Sequence, residues 1–234
     1  MGFLLLWLEG PIQSWGVDSR FYNRSTLDFP TRSGVLGLLC AAAGMGGEQV
    51  EWLARMAECS QTVVAYSLPP SWRDSYEDGP PRLCDMQTVG NGYNPADAWE
   101  LLMIPKTSRG TKSQGPGIKK TYRYYLLDMA YACVLSMPDD EAEKMSRALE
   151  SPVWDLYLGR RNCVPTDFIG RGVFDSEEAA LKAGEDIARE KQLMRRFSVV
   201  EHEVENSDPV VLPDVPLRFG MMKQYRSRMV YIID

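Results

Sequence analysis

The sequence predicts an α+β fold with a ferredoxin-like core, in which helices cover a sheet of paired strands. Short apolar or alternating runs, typical of strands, are interspersed with stretches of helical periodicity. About seventeen β-branched, aromatic and aliphatic residues from 121 to 137 predict a strand pair or one long bent strand in the middle of the chain. The 234 residues, of which 44% are hydrophobic and 25% charged, suffice to bury a sizeable core.

The first half of the chain is predicted to alternate strands and helices. Its elements are a strand at 3–9, helices at 32–44 and 48–59, and strands at 62–68 and 82–89. The first strand stops at Gly10-Pro11, and glycines at 44, 46 and 47 end the first helix. Because the apolar run of the first strand is short and has no charged flank, we expect neither a signal peptide nor a membrane span.

The second half of the chain is predicted to complete the fold. Its elements are a helix at 139–149, a short strand at 153–158, a helix at 176–193, and strands at 197–204 and 229–233. Ser176 is the expected N-cap of the second helix, with Glu177 and Glu178 in its first turn. We expect a ferredoxin-like domain over residues 1–140 and a smaller β-containing part over residues 141–234.

Charge is distributed unevenly, although the net charge is only −6. Residues 101–127 contain no Asp or Glu and include Lys106, Arg109, Lys112, Lys119, Lys120 and Arg123. Such a segment suits a nucleic-acid arm, because cations neutralise phosphates and the nearby tyrosines can stack on bases. The alternative is a solvated loop whose charges keep it soluble. Acidic residues collect elsewhere, at 139–143, 175–190 and 201–208, which favours a bipolar protein with one anion-binding face.

Two further segments suit an anionic ligand. The polar loop Gln13-Ser14-Trp15 follows the first strand, and Thr31-Arg32-Ser33 opens the first helix. Helix N-termini carry unpaired N–H groups and partial positive charge, so this arrangement suits a phosphate backbone. Arg160-Arg161 adds guanidinium groups that grip phosphate or carboxylate, although surface arginines paired with nearby acids are the alternative.

Composition argues against several chemistries. The five cysteines include no CxxC pair, which argues against a zinc ribbon and fits a reducing cytoplasm, and Cys40 and Cys133 are expected in the core. The single histidine, His202, excludes HD, HNH and HExxH sites; we expect it on the surface, with a general base as the alternative. The sequence has no P-loop, nucleophile elbow or carboxylate cluster, so we expect no cofactor and no metal.

Five sequence blocks between residues 3 and 165 share an order with one known family. They are LEGPIQSWG at 8–16, FPTRSGVLGLL at 29–39, CDMQTV at 84–89, TYRYYL at 121–126 and YLGRRNC at 157–163. Together they resemble the CasD family, the RAMP subunits of the type I-E CRISPR surveillance complex (Cascade). Val164 displaces the family's Cys-Pro step. From Leu217 onward the chain matches only loosely, which leaves the role of four cations open: Arg218, Lys223, Arg226 and Arg228.

The resemblance implies a modified RNA-recognition fold with a thumb hairpin that protrudes at residues 90–123. It implies a non-catalytic cytoplasmic subunit that holds the 5′ handle of the CRISPR RNA (crRNA) and caps the backbone filament in antiviral defence. The implied partners are crRNA, the Cascade backbone subunit, the Cascade large subunit and target DNA near its PAM-proximal end, with no membrane.

The expected RNA-binding residues come from the basic segments, the polar loop and the helix start. They are Gln13, Ser14, Trp15, Arg20, Arg24, Thr31, Arg32, Ser33, Lys106, Arg109, Lys112, Lys119, Lys120, Arg123, Arg160 and Arg161. One alternative is a metal-independent endoribonuclease that processes precursor crRNA, with Tyr22, Tyr122 or Lys120 as general base or charge stabiliser and His202 as an outside candidate. Another alternative is a protein-interaction adaptor whose basic loops meet acidic partners.

Overall fold

The structure, a computed structural model, describes residues 1–16, 22–69, 79–89, 96–99 and 119–234. The strands are β1 (Gly2–Gln13), β2 (Asn23–Arg24), β3 (Gln61–Ser67), β4 (Arg82–Val89), β5 (Lys119–Met137), β6 (Gly170–Phe174), β7 (Met194–Val200), β8 (Val210–Arg218) and β9 (Gln224–Ile233). The helices are α1 (Arg32–Ala42), α2 (Val50–Met56), α3 (Asp139–Glu150) and α4 (Glu177–Glu190).

The core of the sheet has ferredoxin-like topology. The strand order is β6-β1-β5-β3-β7-β9-β8. Both β1 and β3 run antiparallel to β5, so they are parallel to each other with β5 inserted between them. The chain then passes through α3 to β6, which pairs antiparallel with the outer side of β1. This arrangement is the split βαβ unit of the ferredoxin-like fold, and it confirms the predicted fold class.

The central strand β5 is one long bent strand, which decides between the two predicted alternatives. Its first part pairs with β4 from Arg82↔Leu126 to Val89↔Lys119. Its second part lies between β1 and β3. Asp128, at the junction, has a φ of 51°, a left-handed conformation that bends the strand. Strands β4 and β5 therefore form the two arms of a hairpin, whose connection at 90–118 is described only at residues 96–99.

Helices cover both faces of the core sheet. On one face, α1 and α3 bury Val35, Leu39 and Met145 against β1 residues such as Leu6. On the other face, α4 covers apolar side chains of β1, β3 and β5, including Trp7. An RNA-recognition motif uses the exposed face of its four-stranded sheet to stack bases. Because α4 occupies the second face and α1 with α3 occupies the first, neither face of this core sheet is open for bases to stack on.

Two loops differ from the predictions for physical reasons. The predicted strand at 153–158 is wrong, because the N–H groups of Val153 and Trp154 donate to carbonyl oxygens at the end of α1 (2.9 and 3.3 Å). They satisfy carbonyls that a helix leaves unpaired at its C-terminus. The last residues of the predicted strand at 197–204, including His202, lie beyond the end of β7 and His202 is exposed.

Buried thiols agree with the composition. All five cysteines are free, and Cys40 and Cys133 lie in the core as predicted. Burial raises the pKa of each of these two thiols to about 12, so neither is a thiolate near neutral pH. In the part of the chain that is described, no helix has the length and apolarity needed to cross a membrane.

An ionic cluster ties β1 to the end of α4 and predicts a pH-dependent contribution to stability. Lys191 contacts Glu9 and Asp167, at 2.8 Å each. Partial burial would raise the pKa of Asp167, but Lys191, the Phe168 N–H and Arg171 outweigh it, so this pKa lies below its usual value of 3.8. The ionised form therefore stabilises the fold above pH 3.8, and that stability is lost as the pH falls through the folded-state pKa.

We expect Asp167→Asn to lower the free energy of unfolding at pH 6 and to have a smaller effect as the pH falls below the usual pKa of 3.8. Urea unfolding of both proteins across this range measures the difference. In the background of Lys191→Met the same substitution should cost less, because its main partner is gone. A difference between the two proteins that stays constant from pH 6 to the acid limit would contradict the assignment.

Candidate nucleic-acid interface

Segments far apart in the sequence meet around a surface cavity of about 340 Å³. They are the end of β1, strand β2, the start of α1, the loop after residue 158 and the turn between β8 and β9. The lining residues are Ser14, Trp15, Gly16, Arg24, Thr31, Ser33, Gly34, Gly159, Arg160, Phe219, Lys223 and Tyr225. Six of the sequence-predicted residues, from four separate segments, therefore share one cavity.

The polar loop after β1 is fixed by backbone hydrogen bonds. The Ser14 N–H donates to the Leu158 carbonyl oxygen (3.1 Å), and the Ser14 hydroxyl donates to the Tyr124 carbonyl oxygen (3.2 Å). The Trp15 N–H donates to the Thr26 hydroxyl (2.8 Å). These bonds join the loop to β5 and to the segment after β2, so the cavity wall has little freedom to move.

Gly159 brings the arginine loop (residues 158–163) against the end of β1. Its φ is 95°, which an L side chain rarely adopts, and a Cβ atom there would lie 1.8 Å from the Ser14 carbonyl oxygen. The loop closes on itself through bonds from the Leu158 N–H to the Cys163 carbonyl (2.7 Å) and from the Cys163 N–H to the Arg160 carbonyl (2.8 Å). Glycine is therefore required for this contact, and the contact places Arg160 in the cavity.

Arg160 joins the cavity wall to the hairpin. Its guanidinium donates to the carbonyl oxygens of Arg24 (2.8 Å) and Tyr124 (3.3 Å) and lies 4.9 Å from the centre of the Tyr125 ring. Its positive charge is not neutralised by a carboxylate in these contacts, because the acceptors are backbone carbonyls and the ring face is a weak partner. Arg161, the neighbouring residue, is exposed to solvent.

The start of α1 differs from the prediction. Thr31 is the N-cap, with its hydroxyl accepting from the Gly34 N–H (3.1 Å). The Arg32 N–H donates to the Asp214 carboxylate (2.8 Å). The protein thus supplies its own anion to this helix terminus, which the sequence suggested would hold phosphate. From the start of α1, Thr31, Ser33 and Gly34 line the cavity, and Arg32 does not.

Arg32 is not an RNA-binding residue in this structure, and the prediction for its side chain is wrong. It is only 3% exposed, and its guanidinium lies 3.1 Å from Glu201 and also contacts the Cys59 carbonyl. Burial lowers the pKa of Arg32, and the neighbouring Glu201 opposes that effect. A side chain paired in this way has no access to a ligand on the surface.

Arg32 belongs to a buried charge network with Glu201, Arg228 and Asp214. Arg228 donates two hydrogen bonds to the Asp214 carboxylate (2.8 and 2.9 Å) and also pairs with Glu201. Burial would lower the pKa of Arg228, but the bonds and charges of Asp214 and Glu201 outweigh it and raise that pKa. The network joins α1 to β8, β9 and the end of β7.

Gln13 and Trp15 are also buried, so, contrary to the prediction, their side chains are not accessible to RNA. Gln13 is 0% exposed and its amide donates to the carbonyl oxygens of Leu8 (3.1 Å) and Met129 (2.7 Å). The Trp15 indole donates to the Gln13 side chain (3.1 Å) and packs in the main core. Both residues fix the shape of the loop from inside, and Gly16, which follows them, is exposed.

The cavity has a positive electrostatic character. Its lining includes the cations Arg24, Arg160 and Lys223 and, among the residues described, no Asp or Glu. Hydroxyl groups of Ser14, Thr31, Ser33 and Tyr225 add hydrogen-bonding groups. Cations with hydroxyl and amide donors, and no carboxylate, form a surface that favours a phosphate backbone.

The positive surface continues onto the hairpin. Arg123 on β5 is in register with Arg24 on β2 and with Asp85 on β4. Residues directly opposite each other in a sheet project from the same face, so two arginines lie side by side there, with Asp85 next to Arg123. Lys120, closer to the end of the hairpin, is exposed.

The side chains of the remaining predicted residues lie outside the part of the chain that the structure describes. Arg20, Lys106, Arg109 and Lys112 lie outside the described residues. Lys119 is the first residue of β5, but its side chain is outside the description too. The role of the hairpin connection as an RNA-binding arm therefore remains a prediction.

Besides three glycines, the cavity residues that were not among the predicted binding residues are Phe219, Lys223 and Tyr225. They belong to the turn and strand that return the chain from β8 into β9. The only sequence signal was the group of four cations between residues 218 and 228, whose role the sequence left open. The structure divides that group: Arg228 is in the buried network, Arg218 and Arg226 form ion pairs with Glu48 and Glu58, and Lys223 lines the cavity.

Of the residues considered for an endoribonuclease, Tyr22, Tyr122 and Lys120 lie near the hairpin, whereas His202 lies apart from them. Tyr22 and Tyr122 are adjacent, with the Tyr122 N–H donating to the Tyr22 carbonyl (2.8 Å), near the hairpin end of β5. His202 follows β7, which pairs with β3 beside the other end of β5. Among the described residues, no group of three or more His, Cys, Asp and Glu side chains is arranged to hold a metal ion.

Comparisons with known proteins agree with this fold. The family model for the CRISPR-associated protein (Cas_Cas5) matches residues 3–231. The Cascade subunit CasD of Escherichia coli (strain K12) is 29% identical over 236 residues, which cover 99% of this chain and 95% of that protein. A chain of a CRISPR RNA-guided surveillance complex has a TM-score of 0.71 at 29% identity, covering 100% of this chain and 89% of that one. A Cas protein crystal structure, 22% identical, shares the fold with a TM-score of 0.60 over 98% of this chain and 93% of that one.

Proposed function

Because the chain belongs to the Cas5 family of CRISPR-associated proteins, we propose that it is a non-catalytic, RNA-binding subunit of a Cascade-type surveillance complex. It holds the 5′ handle of crRNA and caps the backbone filament beside the large subunit, in the cytoplasm, as part of antiviral defence. The likeness to a Cascade subunit over nearly the full length of both proteins supports membership of such a complex. The fold shared with a chain of an RNA-guided complex supports it independently.

The observation that carries the RNA-binding proposal is the cavity at the end of β1. Cations from β2, from the arginine loop and from the β8–β9 turn line it without a carboxylate among the described residues. Each nucleotide of a single RNA strand carries one phosphate, which a cation can contact, and one base, which can turn toward the protein. The opposite side of the sheet carries the acidic helix α4, so the charge distribution favours one RNA-binding side.

The hairpin of β4 and β5 is the proposed thumb. Its arms are paired up to Val89 and Lys119, and its connection carries three of the six cations of residues 101–127. We assign it to contacts with the crRNA backbone and with the neighbouring backbone subunit. The large subunit and target DNA at the PAM-proximal end complete the proposed set of partners.

Removing one cation from this surface should weaken RNA binding and reduce its salt dependence. Arg24→Ala removes a guanidinium but keeps the carbonyl that accepts from Arg160, so the cavity wall should survive. We expect the slope of log K against log salt to fall by about 0.7 for each lost contact to a single strand, for Arg24→Ala and for Arg123→Ala. Filter binding of a synthetic crRNA handle at several salt concentrations measures it.

Arg189→Ala provides the control for this experiment. Arg189 is an exposed arginine of α4 that pairs with Glu185 and Asp186 on the opposite side of the sheet. It should leave the affinity and the slope unchanged. Equal slopes for all four proteins would show that RNA is not bound at the cavity and hairpin.

The non-catalytic assignment is tested by incubating the purified chain with precursor repeat RNA in EDTA. We expect binding without cleavage, because His202 lies apart from Tyr22, Tyr122 and Lys120. Specific cleavage under these conditions, abolished by Tyr122→Phe or Lys120→Ala, would instead establish a metal-independent endoribonuclease.

A further inference from the structure

The turn between β8 and β9 exposes two methionines at the rim of the cavity. The turn has the sequence Phe219-Gly220-Met221-Met222-Lys223. Met221 is 100% exposed and Met222 is 67% exposed. Single exposed apolar residues are ordinary on proteins, but two adjacent methionines at a turn tip form an apolar surface that has no partner within the described chain.

The turn is held firmly at its base, so the position of the methionines is defined. The Phe219 N–H donates to the Glu48 carbonyl oxygen (3.0 Å), and Arg218 forms an ion pair with the Glu48 carboxylate. Gly220 adopts a φ of 79°, which allows the chain to reverse. The fold does not depend on the methionine side chains, because the hairpin is anchored in the core by buried residues of both strands, such as Val215 and Val230.

The same turn supplies part of the cavity wall. Phe219, Lys223 and Tyr225 line the cavity next to the methionines. The apolar tip therefore stands beside a surface whose lining, in the described residues, has three cations and no carboxylate. A protein partner would meet the tip and this cationic surface together, which favours a polyanion over an ordinary apolar protein interface.

We propose that the β8–β9 turn is an RNA-contacting element in which Met221 and Met222 pack against an unstacked base while Lys223 contacts the adjacent phosphate. The inference rests on the proposed function, because it takes the strand in the cavity to be RNA. Thioether groups pack well against the edges of aromatic rings, and apolar side chains inserted beside a base step separate neighbouring bases. The turn thus identifies where the bound strand loses its base stacking.

The experiment uses the full chain and a synthetic crRNA handle with 2-aminopurine placed at successive positions, since its fluorescence reports base stacking. With the unaltered protein we expect a fluorescence change at one or two adjacent positions. Met221→Ser/Met222→Ser should abolish that change and weaken binding about two- to tenfold, with the salt slope unaltered. Lys223→Ala should do the reverse: the slope falls by about 0.7 and the fluorescence change stays.

Met194→Ser is the matched control, because Met194 is a similarly exposed methionine at the start of β7 and outside the cavity. It should leave both readings unchanged. A double variant that binds RNA with unaltered fluorescence at every position overturns the inference and leaves RNA binding intact. Unaltered fluorescence together with loss of binding to a backbone or large subunit also overturns the inference, and it shows that the turn contacts a protein instead. Failure of the unaltered chain to bind RNA overturns the proposed function as well.

Discussion

Replacement of Gly159 by alanine should lower the free energy of unfolding by about 3–5 kcal/mol and abolish specific RNA binding. The new Cβ atom would lie 1.8 Å from the Ser14 carbonyl oxygen, which belongs to the backbone and cannot turn away. A φ of 95° adds strain for any L side chain. Relief of the clash requires the arginine loop to move off β1, and Arg160 then loses its bonds to β2 and β5.

Chemical unfolding measures the stability change, and handle binding measures the functional one. The matched control is Gly37→Ala, in the middle of α1, where a Cβ atom meets nothing within 4 Å. That substitution should stabilise the protein by up to about 1 kcal/mol, because alanine favours a helix over glycine. If Gly159→Ala behaves like Gly37→Ala, the close approach of the loop to β1 does not exist in solution.

Arg228→Met should cost about 3–5 kcal/mol of stability. The substitution removes the cation between two carboxylates, of which Asp214 has a side chain only 1% exposed. The methionine has a similar length, so the loss is mainly of charge pairing rather than of volume. Because Asp214 also accepts from the first N–H of α1, we expect the start of that helix to loosen and the cavity to lose part of its wall.

Arg226→Met is the control for the charge network. Arg226 lies on the same strand and pairs with Glu58 at 3.3 Å, but its side chain is half exposed. Exposed ion pairs contribute little, so we expect a loss of about 1 kcal/mol or less. Unfolding in urea and hydrogen exchange at the first turn of α1 compare the two variants. Equal costs would mean that the network around Asp214 is not buried.

Local patterns predicted the elements whose determinants lie within them. The α1 helix was predicted because Thr31 and the apolar run after it are adjacent in the chain, and Thr31 does cap the helix. The strand at Arg82–Val89 was predicted with its bounds for the same reason. Strand β6 was not, because its glycines at 170 and 172 obscure the alternation, and β8 was not, because prolines at 213 and 216 are unfavourable within strands.

The candidate site was only partly predictable, because its chemistry depends on contacts between distant residues. The sequence could identify Arg32 as a cation at a helix start, but not that Asp214, 182 positions later, binds the same helix terminus. The polar character of Gln13 gave no sign that its amide is consumed by backbone carbonyls inside the core. Lys223 was visible as a cation, yet only the pairing of β8 with β9 brings it to the cavity.

The unbroken path of β5 has a mechanical consequence. One strand runs from the packed centre of the molecule, past the bend at Asp128, to the arms of the hairpin. Because β5 is continuous, a force applied to the hairpin acts directly on the strand that pairs with both β1 and β3. The direction of the hairpin is therefore set by the bend at Asp128 together with the pairing of β1 and β2 to β5.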